Sequence, residues 1–159
     1  MPILTKLKKF LDEKAIQYEV LSHRLAYTAQ EVAAAQHVKG REFAKVVIAK
    51  GGDGFLMTVL PAMAKLDTAK LARAVPAAQV QLATEQEFEQ LFPNCDAGAM
   101  PPFGNLFGLP VYVDQSLTKD ETIVFQAGTH MDTVRMRYDD FARLVAPVVG
   151  DFALKREEL

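Results

Sequence analysis

The sequence predicts a single α+β domain over residues 1–159, built on a mostly antiparallel or mixed sheet. Three observations carry that expectation. Helical and strand patterns are intermixed, without the regular strand–helix alternation of a doubly wound parallel sheet. Two β-branched, apolar runs flank Gly51-Gly-Asp-Gly54, a hairpin signal, because glycine accepts the positive φ of a tight turn. The 159 residues show no internal repeat, linker or low-complexity stretch, and that length can bury a core without disulfide or metal.

The elements follow in chain order. Leu4, Leu7 and Leu11 recur at helical spacing with Lys6, Lys9, Asp12 and Glu13 between them, which predicts an amphipathic first helix. Tyr18–Leu21 reads as a short strand. Thr28-Ala-Gln-Glu31 has the form of a capping box and opens an alanine-rich helix expected to end near Gly40. The hairpin "FAKVVIAKGGDGFLMTVL" comes next. After Pro61 a short helix starts around Asp67, and Gln79–Leu82 is a strand candidate. Thr84-Glu-Gln-Glu87 repeats the capping-box form and opens a helix to about Leu91. Residues 92–105 read as a loop. Val111–Val113, Thr122–Gln126 and Thr133–Arg137 have strand composition, and Asp139 is placed to cap a last helix through Val145.

Composition excludes several classes. Half the residues are apolar and 24% are charged, the balance of an ordinary globular protein. The net charge of −2 supplies no global field for nucleic acid, so such a partner needs a local basic patch. Cys95 stands alone and cannot form an internal disulfide, which suits a reducing compartment. Charges interrupt every apolar run of the N-terminus, so no secretory signal is expected. No stretch approaches the roughly 20 apolar residues of a membrane span. The expectation is a cytoplasmic protein with no membrane partner.

Three features could carry chemistry. Lys45 shares a strand face with Phe43 and Val47, while Ala44, Val46 and Ile48 line the other. A lysine there either snorkels from an edge strand or, between two covered faces, must be paired or open into a cavity. Gly98-Ala-Met-Pro-Pro-Phe-Gly104 is stiff, apolar and poor in side-chain chemistry. Its prolines fix φ and remove two amide donors, and its glycines permit close approach. It is either a tight helix-to-strand connection or a preformed wall offering backbone groups to a ligand. Gly128-Thr129-His130 follows the Thr122–Gln126 strand, and a histidine at a strand end could donate a hydrogen bond or exchange a proton. The alternative there is a turn with solvated polar neighbours.

Other constellations are set aside. His23, His37 and His130 show no metal-ligand spacing, and one cysteine builds no zinc cluster. A thiolate at Cys95 would be disfavoured beside Asp96. No Walker A or dinucleotide-binding glycine pattern is present. No cofactor or metal is expected.

Taken in order, these features resemble one family. A Thr28-led helix is followed by Lys45 in a strand, the hairpin and an "LD..KLA" helix. The G-x-x-x-P-x-G loop, "VYVD" and "VFQAGTH…VRMRYDDFARL" complete the order. The combination is similar to the YbaK/ProRS-associated domain family of aminoacyl-tRNA deacylases, from about Leu4 to Asp151. The resemblance implies a strongly curved mixed sheet or irregular barrel with helices around it. It implies a pocket for the aminoacylated 3′ end of a mischarged tRNA. Lys45 matches the family's essential lysine. Gly98, Ala99, Met100, Pro101 and Pro102 match its substrate loop, and Gly128, Thr129 and His130 the segment that closes the pocket opposite. Met100 and Phe103 are candidates for sizing that pocket.

The implied reaction suits the residues present. An ester between an amino acid and a ribose hydroxyl is labile, so positioning and charge stabilisation can suffice without a protein nucleophile. The expected activity is that of a free-standing trans-editing hydrolase, with mischarged tRNA as partner and a synthetase as a further one. The alternatives are a non-catalytic module that senses tRNA or an amino acid, and a hydrolase of another acyl ester. The chain departs from the family at Val46, where one branch has asparagine, at "PAMAK" before Leu66, where "PGD" is commoner, and at Thr129-His130. These departures leave Lys45 and the loop in place and bear on which amino acid and tRNA are recognised. Lys6, Lys8, Lys9, Lys39, Arg41, Lys50, Arg135 and Arg137 are the local basic groups available for RNA.

Overall fold

The long hairpin organises the fold. In the computed structural model, which describes residues 4–22, 42–52, 54–75, 79–96 and 98–154, β2 (Ala44–Gly51) and β3 (Gly54–Pro61) pair antiparallel from Ala44↔Pro61 to Gly51↔Gly54. Gly52 takes φ +62° at the turn, a conformation that glycine adopts without steric cost. The helix expected between Thr28 and Gly40 lies outside the described residues.

Among the described residues the strands form three sheets. β3 runs parallel to β6 (Val111–Asp114), and β6 parallel to β9 (Val148–Gly150). β5 (Val80–Leu82) lies antiparallel on the other side of β2. A second sheet joins β1 (Tyr18–Ser22), β8 (Asp132–Arg137) and β7 (Thr122–Gln126), all antiparallel. β4 (Lys65–Leu66) and β10 (Ala153–Leu154) make a two-stranded ribbon. The α+β class with a mixed, mostly antiparallel sheet stands, but the sheet does not close into a barrel. The two larger sheets meet at one parallel bridge, Phe43↔Val124, where the Val124 amide donates to Glu42 O at 3.0 Å. The ladder does not continue past that pair.

Two apolar clusters cover opposite faces of β2. Ala44 and Ile48, with Val46 against them, enter the larger cluster together with Leu7, Leu11, Phe103, Val113, Phe125 and Phe141. Ala49, with Val47 against it, enters a smaller cluster with Leu56, Leu60, Leu71 and Phe152. Phe103 is a hub of the larger cluster, its ring 5.5 Å from both Phe125 and Phe141 and 6.0 Å from Phe10. The leucine stripe of α1 (Thr5–Glu13) buries Leu7 and Leu11 completely, each contributing on the order of 1.5–3 kcal/mol.

The remaining helices show how caps set boundaries. Asp67 caps α2 (Thr68–Ala74), accepting from Ala69 N at 2.9 Å and Lys70 N at 3.1 Å. Thr84 and Glu87 form the expected capping box at α3 (Glu85–Phe88), which continues as a 3-10 turn to Leu91. Thr84→Ala should lower unfolding stability by about 1 kcal/mol in a urea titration, the usual worth of such a cap. The last helix, α4 (Tyr138–Val145), corrects the expected cap at Asp139: its N-cap is Arg137, and Asp139 sits in the first turn. β8 feeds directly into α4, so the cap position falls on the strand's last residue. The Tyr138 amide is satisfied by Glu121 O at 3.0 Å instead of by a side chain. Asp139 and Asp140 still favour the helix start through its dipole.

β4, β9 and β10 were not expected; at two or three residues each they carry no periodicity. Asp114 anchors this end of the chain. Its Oδ1 accepts from Phe152 N and Ala153 N, both at 2.9 Å, and its Oδ2 from Ser116 N at 3.1 Å and Ser116 Oγ at 2.5 Å. No helix among the described residues is long and apolar enough to cross a membrane.

Candidate functional site

Lys45 lies near the start of β2, with Leu60 opposite it on β3. On the other side of β2, β7 touches the chain at Phe43 and β5 pairs from Ala49 onward, so Lys45 falls in the gap between them. Its side chain lies on the Val47 and Ala49 face and is half-buried. Among the described residues it has no hydrogen-bond or ion-pair partner. Burial pushes its ammonium below the ordinary lysine value, and the charge of Lys65 pushes it further the same way.

The seam between the sheets, the single bridge Phe43↔Val124, lies two residues before Lys45 on one strand and two before Gln126 on the other. On the β7 side Ile123, Phe125 and Ala127 enter the larger cluster. Gln126 is buried, and its amide lies 3.3 Å from His130 Nδ1. With the amide nitrogen donating, Nδ1 accepts and the ring carries its proton on Nε2. His130 itself is 8% exposed.

The Gly98–Gly104 loop reaches this turn through its backbone. Asp96 N donates to Gly128 O at 2.7 Å, Gly128 N to Ala99 O at 2.9 Å, and Ala99 N to Asp96 O at 3.0 Å. His130 N closes the network on Asp96 Oδ2 at 3.2 Å. Gly98 takes φ +82°, and a Cβ there would stand 3.8 Å from His130 Cε1, so the glycine lies against the ring edge. Loop and turn are thus one hydrogen-bonded unit.

The parts of the loop divide their roles. Ala99, Met100, Pro101, Pro102 and Phe103 are all buried. Met100 and Phe103 pack in the larger cluster, and Met100 also lines a depression of about 370 Å³ with Cys95 and Asp96. At Gly104 a Cβ would come within 2.6 Å of Val111 Cγ2 and 2.9 Å of Leu109 O, so this glycine is required by packing. Gly98 is the glycine that faces the histidine. Ala99 spends both its amide and its carbonyl inside the unit, so that stretch of backbone holds the turn. Thr129 is likewise engaged: Oγ1 donates to Asp132 Oδ2 at 2.7 Å and accepts from Met131 N at 3.2 Å and Asp132 N at 3.1 Å. Gly128 has φ +106°, and a Cβ there would stand 2.9 Å from Leu4 Cβ. The Leu4 amide also donates to Ala127 O at 2.8 Å, docking the start of α1 on the turn.

Sequence reasoning passed over Gln126 and Asp96. Gln126 carries a readable signal, a buried polar residue ending the apolar strand Thr122–Gln126. Asp96 carries none, because an acidic residue in a loop is ordinary.

Other chemistry is not supported here. Burial, with a smaller contribution from Asp96, pushes the Cys95 thiol up to about 11, which keeps it protonated near neutrality. Among the described residues no group of three or more His, Cys, Asp or Glu could hold a metal ion. Several of the candidate RNA-binding cations already face carboxylates. Lys8 pairs with Asp12, Lys50 with Glu87 and Arg137 with Asp139, and Lys6 lies over the Phe107 ring. Lys39 and Arg41 lie outside the described residues. A depression of about 830 Å³ at the hairpin tip is lined by Lys50, Gly51, Thr68 and Gln81, and by neither Lys45 nor His130.

Comparison with known proteins identifies the family and the fold. A family model described as the aminoacyl-tRNA editing domain matches residues 23–144. No curated protein matches the chain in sequence. A candidate trans-editing enzyme for prolyl tRNA synthetase superposes with a TM-score of 0.81 at 22% identity, over 94% of this chain and 95% of that one. The hypothetical protein APE2540 superposes with a TM-score of 0.85 at 19% identity, over 94% and 99%. A candidate signal transduction protein from Marinobacter aquaeolei VT8 gives 0.75 at 18%, with 96% of this chain matching 31% of that longer one. At these identities the solved structures establish the fold.

Proposed function

The chain belongs to the aminoacyl-tRNA editing domain family, and from that premise we propose that it is a free-standing deacylase that clears a small, wrongly attached amino acid from tRNA. The observation that carries the proposal is Lys45, a half-buried lysine that pairs with no carboxylate among the described residues, in a strand whose start is bridged to the strand leading into the Gln126–His130 turn. An unpaired cation at such a position costs stability, and an anionic substrate would relieve that cost.

The reaction is ester hydrolysis. Water adds to the acyl carbon, and the bond from that carbon to the ribose oxygen breaks. The amino acid leaves as its carboxylate, and the ribose oxygen takes a proton. Lys45 would hold a phosphate or the polarised oxygen of the terminal nucleotide. Gly98 and the stiff residues behind it, Ala99 to Pro102, would form the wall against which the aminoacyl group lies. Gly128, Thr129 and His130 would close the opposite side. The neighbouring ribose hydroxyl would help to activate water, which accounts for a site with no serine or cysteine nucleophile. Rate would come from positioning and from charge placed before the reaction starts. Such an enzyme works where tRNAs are charged, in the cytoplasm, with the acceptor end of a mischarged tRNA as substrate and a synthetase as a further partner.

The test is deacylation across a panel of mischarged tRNAs. The expected result is turnover of at least one tRNA carrying a small non-cognate amino acid, with the correctly charged tRNA spared. Binding without turnover across the panel would overturn the enzymatic reading in favour of a sensing module. Hydrolysis of simple acyl esters at rates equal to those on tRNA would place the activity on a different substrate.

A further inference from the structure

We infer that Lys65 is the second cation of an anion subsite begun by Lys45, and that the two lysines together hold one phosphate of the substrate's terminal nucleotide. The inference rests on the aminoacyl-tRNA reading above and names its phosphate-binding partner.

Chain geometry brings the two together. After β3 the chain turns at Pro61, where Ala64 N donates to Pro61 O at 3.0 Å. The Ala62 amide donates to Phe43 O at 2.8 Å, which pins this turn to the start of β2, two residues from Lys45. β4 follows at once, and its backbone pairing, Lys65↔Leu154, fixes residue 65 on the ribbon. Lys65 is exposed and Lys45 half-buried. They are close enough for the charge of Lys65 to act on Lys45.

Their charges are not balanced by the described residues. Among the described residues neither lysine pairs with a carboxylate, whereas Lys8, Lys50 and Lys70 each face one. Asp67, the acidic residue nearest Lys65 in sequence, is occupied as the cap of α2. Two like charges held near one another by backbone hydrogen bonds repel, and an anion between them turns that repulsion into attraction. A phosphate monoester or diester suits two ammonium groups, each a compact point charge with three donors.

The experiment uses adenosine 5′-monophosphate as probe, with inorganic phosphate and adenosine as controls, on wild type, Lys65→Gln and Lys65→Arg. Binding is followed by NMR of the lysine side chains. In the wild type the nucleotide and free phosphate should shift both Lys45 and Lys65 signals, and adenosine should not. Lys65→Gln should weaken nucleotide binding about tenfold, the effect of about 1.4 kcal/mol, and Lys65→Arg should keep it within about twofold. Adenosine binding should be equal in all three proteins. On a hydrolysed tRNA, Lys65→Gln should raise KM about tenfold and leave kcat within about twofold. It should also flatten the salt dependence of log KM by about 0.7 per decade.

Absence of nucleotide-induced shifts at the two lysines in the wild type overturns the subsite. So does equal affinity with an unchanged salt slope in Lys65→Gln. If no mischarged tRNA is hydrolysed but Lys65→Gln still loses the nucleotide, the subsite stands and the deacylase reading falls. If a tRNA is turned over with equal KM by wild type and Lys65→Gln, the deacylase reading stands and the subsite falls.

Discussion

Lys45→Ala should lower kcat/KM on the hydrolysed tRNA by about a hundredfold or more, while leaving the protein folded. The magnitude follows from what a positioned charge contributes when it meets developing charge away from water: removing one such group costs on the order of 10²–10³ in rate. Loss of fold is not expected, because the ammonium makes no ion pair among the described residues and is already destabilised by burial and by Lys65. Lys45→Met keeps the packing of the stem along Val47 and Leu60 and removes only the charge. It should be as inactive as the alanine variant and at least as stable as wild type in urea. The pH dependence of stability gives a second check. The folded-state value lies below the ordinary 10.5, so between the two the unfolded chain binds more protons than the folded one. Wild-type stability should therefore rise with pH relative to Lys45→Met across that window, the penalty being fully present below it. An active Lys45→Met variant would remove the lysine from the reaction.

The largest expected loss of stability comes from Asp114→Ala, about 3–5 kcal/mol in a urea titration. Asp114 is 3% exposed and accepts four hydrogen bonds from Phe152, Ala153 and Ser116. The substitution strands the buried Phe152 and Ala153 amides, and each orphaned buried donor costs about 1–3 kcal/mol. It also frees the segment that carries Phe152 into the smaller cluster and Ala153 onto β4. Asp114→Asn keeps one acceptor oxygen and turns a donor toward Ser116 or the amides, so it should fall between wild type and alanine. A shift in midpoint below about 1 kcal/mol for Asp114→Ala would show that the carboxylate does not hold this end of the fold.

What the sequence made legible was local chemistry. Glycines at 51 and 54 announced the hairpin because only a few turns reverse a chain that sharply, and Gly51↔Gly54 pairing followed. Thr84 and Glu87 announced α3 because their side chains satisfy helix amides directly. The alternation around Lys45 sorted its neighbours onto faces that the two clusters then occupy. The failures share a different cause. Asp139 looked like a cap because capping is read from residue type, while the actual start of α4 is set by Glu121 on a neighbouring segment. β4, β9 and β10 are stabilised by partners remote in sequence, which short stretches cannot announce. Barrel closure was likewise a matter of long-range register, and a single Phe43↔Val124 bridge takes its place.

The candidate site divides in the same way. Lys45, Gly98 and His130 were visible because each is the wrong residue for an ordinary strand or turn. The residues that hold the histidine turn were not: Gln126 meets His130 from the end of its strand, and Asp96 through a loop that folds onto another loop.

One contact ties the history of two distant positions together. The space a side chain at residue 128 would need is filled by the β-carbon of Leu4. As long as any residue but glycine stands at 4, the turn beside His130 must keep its glycine for two reasons, its φ of +106° and its crowding. Mutational effects at 4 and 128 should therefore be epistatic, and sequence variation at the first helix constrains which turns the chain can evolve beside its histidine.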